Sequence, residues 1–243
     1  MDGHIIAPSG NKRPCYCPVI AVPKPGAAQG VWRLAQDLRA LNKVTIVNYF
    51  GLPDPCDLAC RLAGSFFITE LDFASGYWQI TLHKDDRYKT AFMLPDGRMY
   101  QWKVAPMGMN TSGIEFCRFV VTKVVGKLLH KCVECYSDNI FVFTKENNFT
   151  LHLQHCCLFL AKVQEFSMSL KPSKCFIGMS SLNIVGWKLS KTGVEVNPDK
   201  LQAIHDYQFP LSKKAMRRFL GLANQYRAFT FQCMLISLNY DQH

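Results

Sequence analysis

Two aspartates in strand-like surroundings are the residues of this chain best suited to chemistry. Asp138 stands beside Asn139 between the apolar runs of residues 134–143, Glu-Cys-Tyr-Ser-Asp-Asn-Ile-Phe-Val-Phe. Aromatic and β-branched residues flanking a polar pair read as strand, turn, strand, so the acid sits at a hairpin tip. Asp72 lies in a second such run, Phe66-Phe67-Ile68-Thr69-Glu70-Leu71-Asp72-Phe73, followed by Gly76 and Tyr77. Two carboxylates on neighbouring strands repel each other unless a divalent cation lies between them. Mg²⁺, a hard ion, takes a few carboxylates and keeps places for phosphate oxygens. Two such ions can clamp the attacking and leaving oxygens of a phosphoryl transfer. For Asp138 alone, ordinary turn chemistry is the competing reading. Joint action requires a fold that sets the two strands side by side.

Another set of chemistry-bearing residues, Cys132-x-x-Cys135 followed by His152-x-x-His155, resembles zinc-ligand spacing. The residues between the pairs contain the whole apolar hairpin instead of a compact ligand-presenting turn, which argues against zinc. Cys15, Cys17, Cys56, Cys60, Cys156 and Cys157 show no better spacing. Eleven cysteines would suit a secreted disulfide scaffold if the chain were short and carried a signal segment, but residues 1–10 hold no signal-peptide core. Most therefore read as reduced, buried, small apolar side chains of an intracellular protein.

The elements that must position the acids belong to a chain able to bury a real core, since 49% of its 243 residues are hydrophobic. One large domain or two small ones fit that length. Lys and Arg number 28 against 18 acidic residues, a net charge of +10 that favours a polyanionic partner, most commonly nucleic acid. A membrane surface fits less well. The basic residues are dispersed without a run of five, and no apolar stretch reaches the roughly 18 residues needed to span a bilayer.

Several boxes in order then carry a resemblance. Tyr136-Ser137-Asp138-Asn139 is similar to the Tyr-x-Asp-Asp box of reverse transcriptases, with Asn139 where the second aspartate is usual. Leu71-Asp72-Phe73-Ala74-Ser75-Gly76-Tyr77 is similar to the Leu-Asp-x-x-Ser-Gly-Tyr box of Ty3/gypsy-type long-terminal-repeat retroelements. Trp32, Arg33, Asp37, Arg39, Leu41 and Asn42 match the fingers box Trp-Arg-x-x-x-Asp-Tyr-Arg-x-Leu-Asn, with Leu38 replacing the aromatic. Residues 104–110 resemble Met-Pro-Phe-Gly-Leu-x-Asn, Met107 standing for the phenylalanine and Gly108 retained, while Ser112-Gly113 stands where Ala-Pro is usual. Leu170-Lys171-Pro172-Ser173-Lys174-Cys175 resembles Leu-Asn-Pro-x-Lys-Cys, and Ile184-Val185-Gly186-Trp187 the Phe-Leu-Gly-His primer-holding turn. Residues 218–227 resemble a thumb-like helix.

The resemblance implies an α+β right-hand polymerase fold: an antiparallel palm sheet with helices behind it, small fingers and a partial thumb. Expected boundaries are 1–50 and 80–111 for fingers, 51–79 and 112–192 for palm, 193–229 for thumb-like helices, and 230–243 as an unrelated tail. It implies an RNA-directed DNA polymerase that uses Mg²⁺, or Mn²⁺, with an RNA or DNA template, a primer and deoxynucleoside triphosphates, in a cytoplasmic particle or the nucleus. Asp72 and Asp138 would bind metal, with Asn139 third in the catalytic set. Lys24, Arg33, Phe73, Tyr77, Met107, Gly108 and Lys174 would meet the nucleotide. Within that set Arg33 suits bidentate phosphate contact, and Tyr77, five residues after Asp72, would exclude a 2′-hydroxyl. Val185, Gly186 and Trp187 would hold the primer. Asn139 keeps an oxygen ligand but removes one charge, so the expected activity is impaired, with a catalytically inactive nucleic-acid-binding remnant of a retroelement as the alternative. The match starts within the fingers and stops before the ribonuclease H and integrase regions, the expectation being a truncated or decayed copy.

The residues themselves predict a strand at 19–22, a helix at 55–62 and a helix at 114–129. Further expectations are a strand pair around Asp96-Gly97, Tyr77 as a half-buried strand aromatic, and a helical stripe of Leu151, Cys156, Leu160, Val163 and Phe166. Helices opening at Pro198 and spanning 211–229 close the reading.

Overall fold

Alternation along two strands explains how one sheet can be covered on both faces. Residues 139–144 read Asn-Ile-Phe-Val-Phe-Thr; Ile140 and Val142 enter one core, while Phe141 and Phe143 enter another. The structure, a computed structural model, describes residues 5–9, 17–23, 30, 32–51, 53–184, 186–196, 202, 207 and 210–224.

The strands and α-helices, in chain order, are β1 (Ile6–Pro8), β2 (Val19–Pro23), β3 (Trp32–Gln36), α1 (Arg39–Val44), α2 (Pro55–Leu62), β4 (Phe67–Asp72), β5 (Phe92–Met93), β6 (Met99–Trp102), α3 (Ser112–Phe119), β7 (Val133–Tyr136), β8 (Asn139–Thr144), α4 (Phe149–Glu165), β9 (Phe176–Met179), β10 (Ser181–Ile184), β11 (Trp187–Ser190), β12 (Gly193–Val196) and α5 (Lys213–Asn224). The central sheet has the order β7-β8-β4-β9 with every pairing antiparallel. Behind it, α3 runs on as a π-helix at Val120–Val125, and α4 packs alongside, so Phe116, Val120, Val124, Phe159 and Val163 meet Leu71, Ile140 and Val142. On the opposite face α2 and the β10-β11-β12 meander cover Ile68, Phe141 and Phe143. Among the described residues no helix is long and apolar enough to cross a membrane.

The strand at β2 and the helices α2, α3 and α4 agree with the expected elements, and α2 begins as its sequence requires. Asp54 accepts from the Cys56 amide at 2.7 Å, and Pro55 occupies the first turn, where its missing N–H costs nothing. Other expectations change. Most of the first arm of the expected pair at Asp96-Gly97 is a 3₁₀-helix, Lys84–Thr90, leaving β5 with only Phe92 and Met93. The Asp-Gly turn itself forms, with Gly97 at φ +82°. Gly76–Gln79 is likewise a 3₁₀-helix, so Tyr77 is not a strand residue. The buried stripe of α4 is His152, Cys156, Phe159 and Val163, and Leu160 faces solvent. The helix expected at Pro198, residues 225–229 and the 230–243 tail lie outside the described residues.

Candidate active site

Register brings the two acids together. β4 and β8 pair antiparallel from Phe67↔Thr144 to Asp72↔Asn139, so the end of one strand meets the start of the other. Tyr136↔Asn139 closes the β7–β8 hairpin over a two-residue loop, Ser137-Asp138. Ser137 is held at φ +57°, a left-handed conformation that tight hairpins use and that costs a non-glycine residue about 1 kcal/mol or more. Ser75, on the loop leaving β4, is also left-handed at φ +51°. Both bends turn the chain around a cavity of about 440 Å³ that Asp72, Ser75, Tyr77, Met107, Asp138 and Lys174 help to line.

Asp72 is mostly buried, Asp138 exposed. Lys174 donates to Asp72 Oδ2 at 2.9 Å, and that hydrogen bond raises the lysine's pKa above its ordinary value. Its position is set by a short ladder beyond β4: the Ala74 amide donates to Ser169 O at 2.9 Å, and the Lys171 amide to Asp72 O at 2.8 Å. Gln79 staples the same two loops, donating to the Ala74 and Ser169 carbonyls and accepting from the Ser169 amide at 2.9 Å. Tyr77 lies half-buried with its ring edge-on to Phe116 at 5.9 Å. Burial, and then the charge of Asp138, push its hydroxyl pKa up.

Asn139 faces a residue that the motifs did not single out. Its Nδ2 donates to Glu70 Oε1 at 2.9 Å. Burial, and next the charge of Asp72, raise the Glu70 pKa. The available signal was the period of two: an acid inside an apolar strand, two positions before Asp72, must share its face. Gln79 and Lys171 carried no comparable signal.

The remaining expected site residues divide. Met107 is exposed at the cavity, and Gly108, at φ +94°, gives its carbonyl to the Asn42 amide at 2.9 Å. Phe73 is 3% exposed and packs edge-on against Phe116, so its ring is largely committed to the core although the residue borders the cavity. Trp187 is 2% exposed within the α2 core, which corrects the expectation of a primer-holding indole at that position. Gly186 is described, at φ +89°. The backbone of Arg33 pairs with Val22 in the β2–β3 ribbon, but its side chain lies outside the described residues, as do Lys24 and Val185. Cys132, Cys135 and Cys156 share one apolar core with one another, and burial raises the Cys135 thiol to about 12. His152 is buried between Thr69 and Thr144 at 2.8 and 3.0 Å.

The donor chemistry of the cavity suits a hard divalent cation, because two carboxylate residues, Asp72 and Asp138, line it. Among the described residues no group of three or more His, Cys, Asp or Glu side chains could hold a metal unaided. Such an ion would complete its shell with water or phosphate oxygens, and Lys174 would have to yield its hold on Asp72.

Comparison with known proteins agrees with this geometry. The family profile described as reverse transcriptase (RNA-dependent DNA polymerase) matches residues 22–223. The Tf2-7 and Tf2-3 transposon polyproteins of Schizosaccharomyces pombe are each 30% identical over 213 residues, 88% of this chain and 16% of theirs. The chain thus spans about a sixth of the length of these relatives. A foamy viral protease-reverse transcriptase solved with double-stranded DNA superposes with a TM-score of 0.77 at 22% identity, over 91% of this chain and 37% of the other. The foamy viral enzyme solved with an RNA/DNA hybrid gives 0.71 at 21% identity, over 92% and 29%. Those likenesses show the right-hand polymerase fold with its antiparallel palm sheet. The profile, which covers most of the chain, makes it a member of the reverse transcriptase family.

Proposed function

We propose that this chain catalyses template-directed DNA synthesis, in which a primer 3′-hydroxyl attacks the α-phosphorus of a deoxynucleoside triphosphate and pyrophosphate leaves. One observation carries the reading: Asp72 and Asp138, on paired β-elements distant in sequence, line one cavity bordered by Lys174. Members of this family use a divalent metal, and Mg²⁺, with Mn²⁺ as substitute, matches two carboxylates that leave room for phosphate. When bound, the ion supplies charge neutralisation at the reacting phosphate. Asp72 and Asp138 hold it, while Asn139 offers an uncharged oxygen.

The chain's other residues orient the reactants. Lys174, released from Asp72, meets the nucleotide phosphates, and Lys24 and Arg33 meet them from the fingers. Tyr77, fixed by Phe116, limits space beside the sugar, with Met107, Gly108 and Phe73 completing the floor. The segment Val185-Gly186-Trp187 carries the primer backbone, with the Trp187 ring committed to the α2 core. In this reading residues 1–50 and 80–111 are fingers, 51–79 and 112–192 palm, and 193–229 thumb, with 230–243 outside the domain. Exposed Lys213, Lys214, Arg217 and Arg218 on α5 are suited to a duplex backbone, of RNA or DNA template, without reading its sequence. The setting is intracellular, in a cytoplasmic particle or the nucleus.

Primer extension on an RNA template with Mg²⁺ or Mn²⁺ tests the proposal. The chain extends the primer and Asp72→Ala does not. A second reading, a binding remnant, is favoured by Lys174 occupying Asp72 and by the amide at 139. Salt-sensitive primer-template binding without extension would establish it instead.

A further inference from the structure

We infer that Glu70 and Asn139 are an exchanged pair: Glu70 positions the Asn139 amide and supplies the negative charge that a second aspartate in the hairpin box would bring. The inference rests on the metal-assisted reading proposed above. Glu70 precedes Asp72 by two residues on β4, so both side chains leave the same face. Asn139 stands directly opposite Asp72 across the β4–β8 pair, and opposed residues share a face too. Tyr136, paired with Asn139 and packed toward the α2 core with Phe141, fixes which face this is.

Asn139 Nδ2 donates to Glu70 Oε1 at 2.9 Å. An ionised carboxylate only accepts, so the amide nitrogen must point to Glu70 and the amide oxygen away from it. Glu70 thereby sets the direction of the one oxygen that residue 139 can offer a ligand. An aspartate at 139 would oppose two acceptors at this contact, with Asp72 across the strand pair. Asparagine converts that repulsion into a charge-assisted hydrogen bond. Asp72 and Asp138 line the cavity, where Lys174 is bonded to Asp72, while Glu70 lies outside that lining, two residues before Asp72 and bonded to Asn139. A chain with acids at both 70 and 139 would set two further carboxylates against each other beside that pair. The glutamate inside an apolar strand and the asparagine in the hairpin therefore account for each other.

A double-mutant cycle of Glu70→Gln, Asn139→Asp and the pair together tests this in the full chain. In metal-free thermal melting, N139D lowers Tm by about 4–8 °C, and E70Q/N139D returns it to within about 2 °C, because amide and carboxylate have changed places. If N139D alone does not fold, recovery of folded protein in the double variant, read by circular dichroism, is the same rescue. In Mn²⁺ titration followed by electron paramagnetic resonance, E70Q weakens binding about tenfold, and E70Q/N139D restores most of it. Additive melting shifts, or Mn²⁺ affinity unchanged in E70Q, would overturn the inference. The underlying reading fails separately: if Asp72→Ala leaves Mn²⁺ binding intact while the melting cycle still couples, the pair stands and the metal role falls.

Discussion

The hairpin β7–β8 carries an acid near each end, and the two have opposite surroundings. Glu134, 1% exposed, is answered from two sides, by Arg61 Nε at 3.0 Å and His130 Nδ1 at 2.8 Å. Asp138, at the other end, is exposed and makes no hydrogen bond or ion pair among the described residues. Buried polar groups are normally satisfied by the protein itself. An acid held at a cavity by a left-handed turn, with its oxygens left open, has its partner elsewhere. Both are acidic residues of one short hairpin, so residue type alone does not separate structural charge from chemical charge. What separates them is whether the fold supplies the counter-charge.

The largest expected effect breaks the open end. Asp72→Ala lowers primer extension by at least about a thousandfold, because the charge it contributes acts directly at the reacting phosphate. Melting of the same variant stays within about 2 °C, since Asp72 is bonded chiefly to the half-exposed Lys174. The closed end responds in the opposite way. Arg61→Ala leaves Glu134 buried with one cation fewer and lowers stability by about 2–3 kcal/mol, a fall of roughly 5–10 °C in Tm, while the folded fraction keeps its extension rate. Equal losses of activity per folded molecule in both variants would erase the distinction between the two ends.

Lys174 sharpens the comparison, since it is a counter-charge supplied by the fold to the open end. Its side chain is 55% exposed, so its bond to Asp72 is weakly held and exchangeable. Lys174→Gln is expected to raise the KM for deoxynucleoside triphosphates about tenfold with little change in melting, as measured by steady-state extension. Were the lysine a structural partner like Arg61, melting would shift and KM would not.

The parts of this arrangement that were legible in the sequence are those governed by local pattern. The hairpin tip at Asp138, a strand carrying Asp72 and the helices α2 and α4 follow from alternation, turn residues and apolar spacing. Register between strands is not local, so nothing nearby revealed that Asn139 lies across from Asp72 and bonds Glu70. The motif match named Phe73 and Trp187 as contacts because it records position and not direction; Phe73 points at Phe116 and Trp187 into the α2 core. The aromatic type of Tyr77 suggests a strand, but β4 stops at Asp72 and the left-handed Ser75 caps a 3₁₀-helix that carries the tyrosine. The zinc-like spacing likewise joined residues that the fold distributes to different work. Cys135 fills a core beside Ile140, and His152 bonds two threonines.

That histidine yields the smallest effect and a control for the whole scheme, because it is a buried polar group far from the chemistry in role. Burial, and then the neighbouring His155, depress its pKa below the ordinary value of 6.5. Thr69, Thr144 and the Cys156 thiol surround it and offer no charge to stabilise an imidazolium. For a base whose folded pKa is depressed, protonation favours the unfolded chain. The stability it confers is full above pH 6.5 and is lost as pH falls from there toward the folded pKa, below which the loss levels off. One proton gives a slope of at most about 1.4 kcal/mol per pH unit, or roughly 3–5 °C in Tm. Melting between pH 7.5 and 5 should therefore fall more steeply for this chain than for His152→Gln, which starts lower but lacks the titrating ring. Parallel curves would mean that His152 takes up no proton on unfolding in this range, and that acid sensitivity arises at groups other than the buried polar cluster behind the sheet.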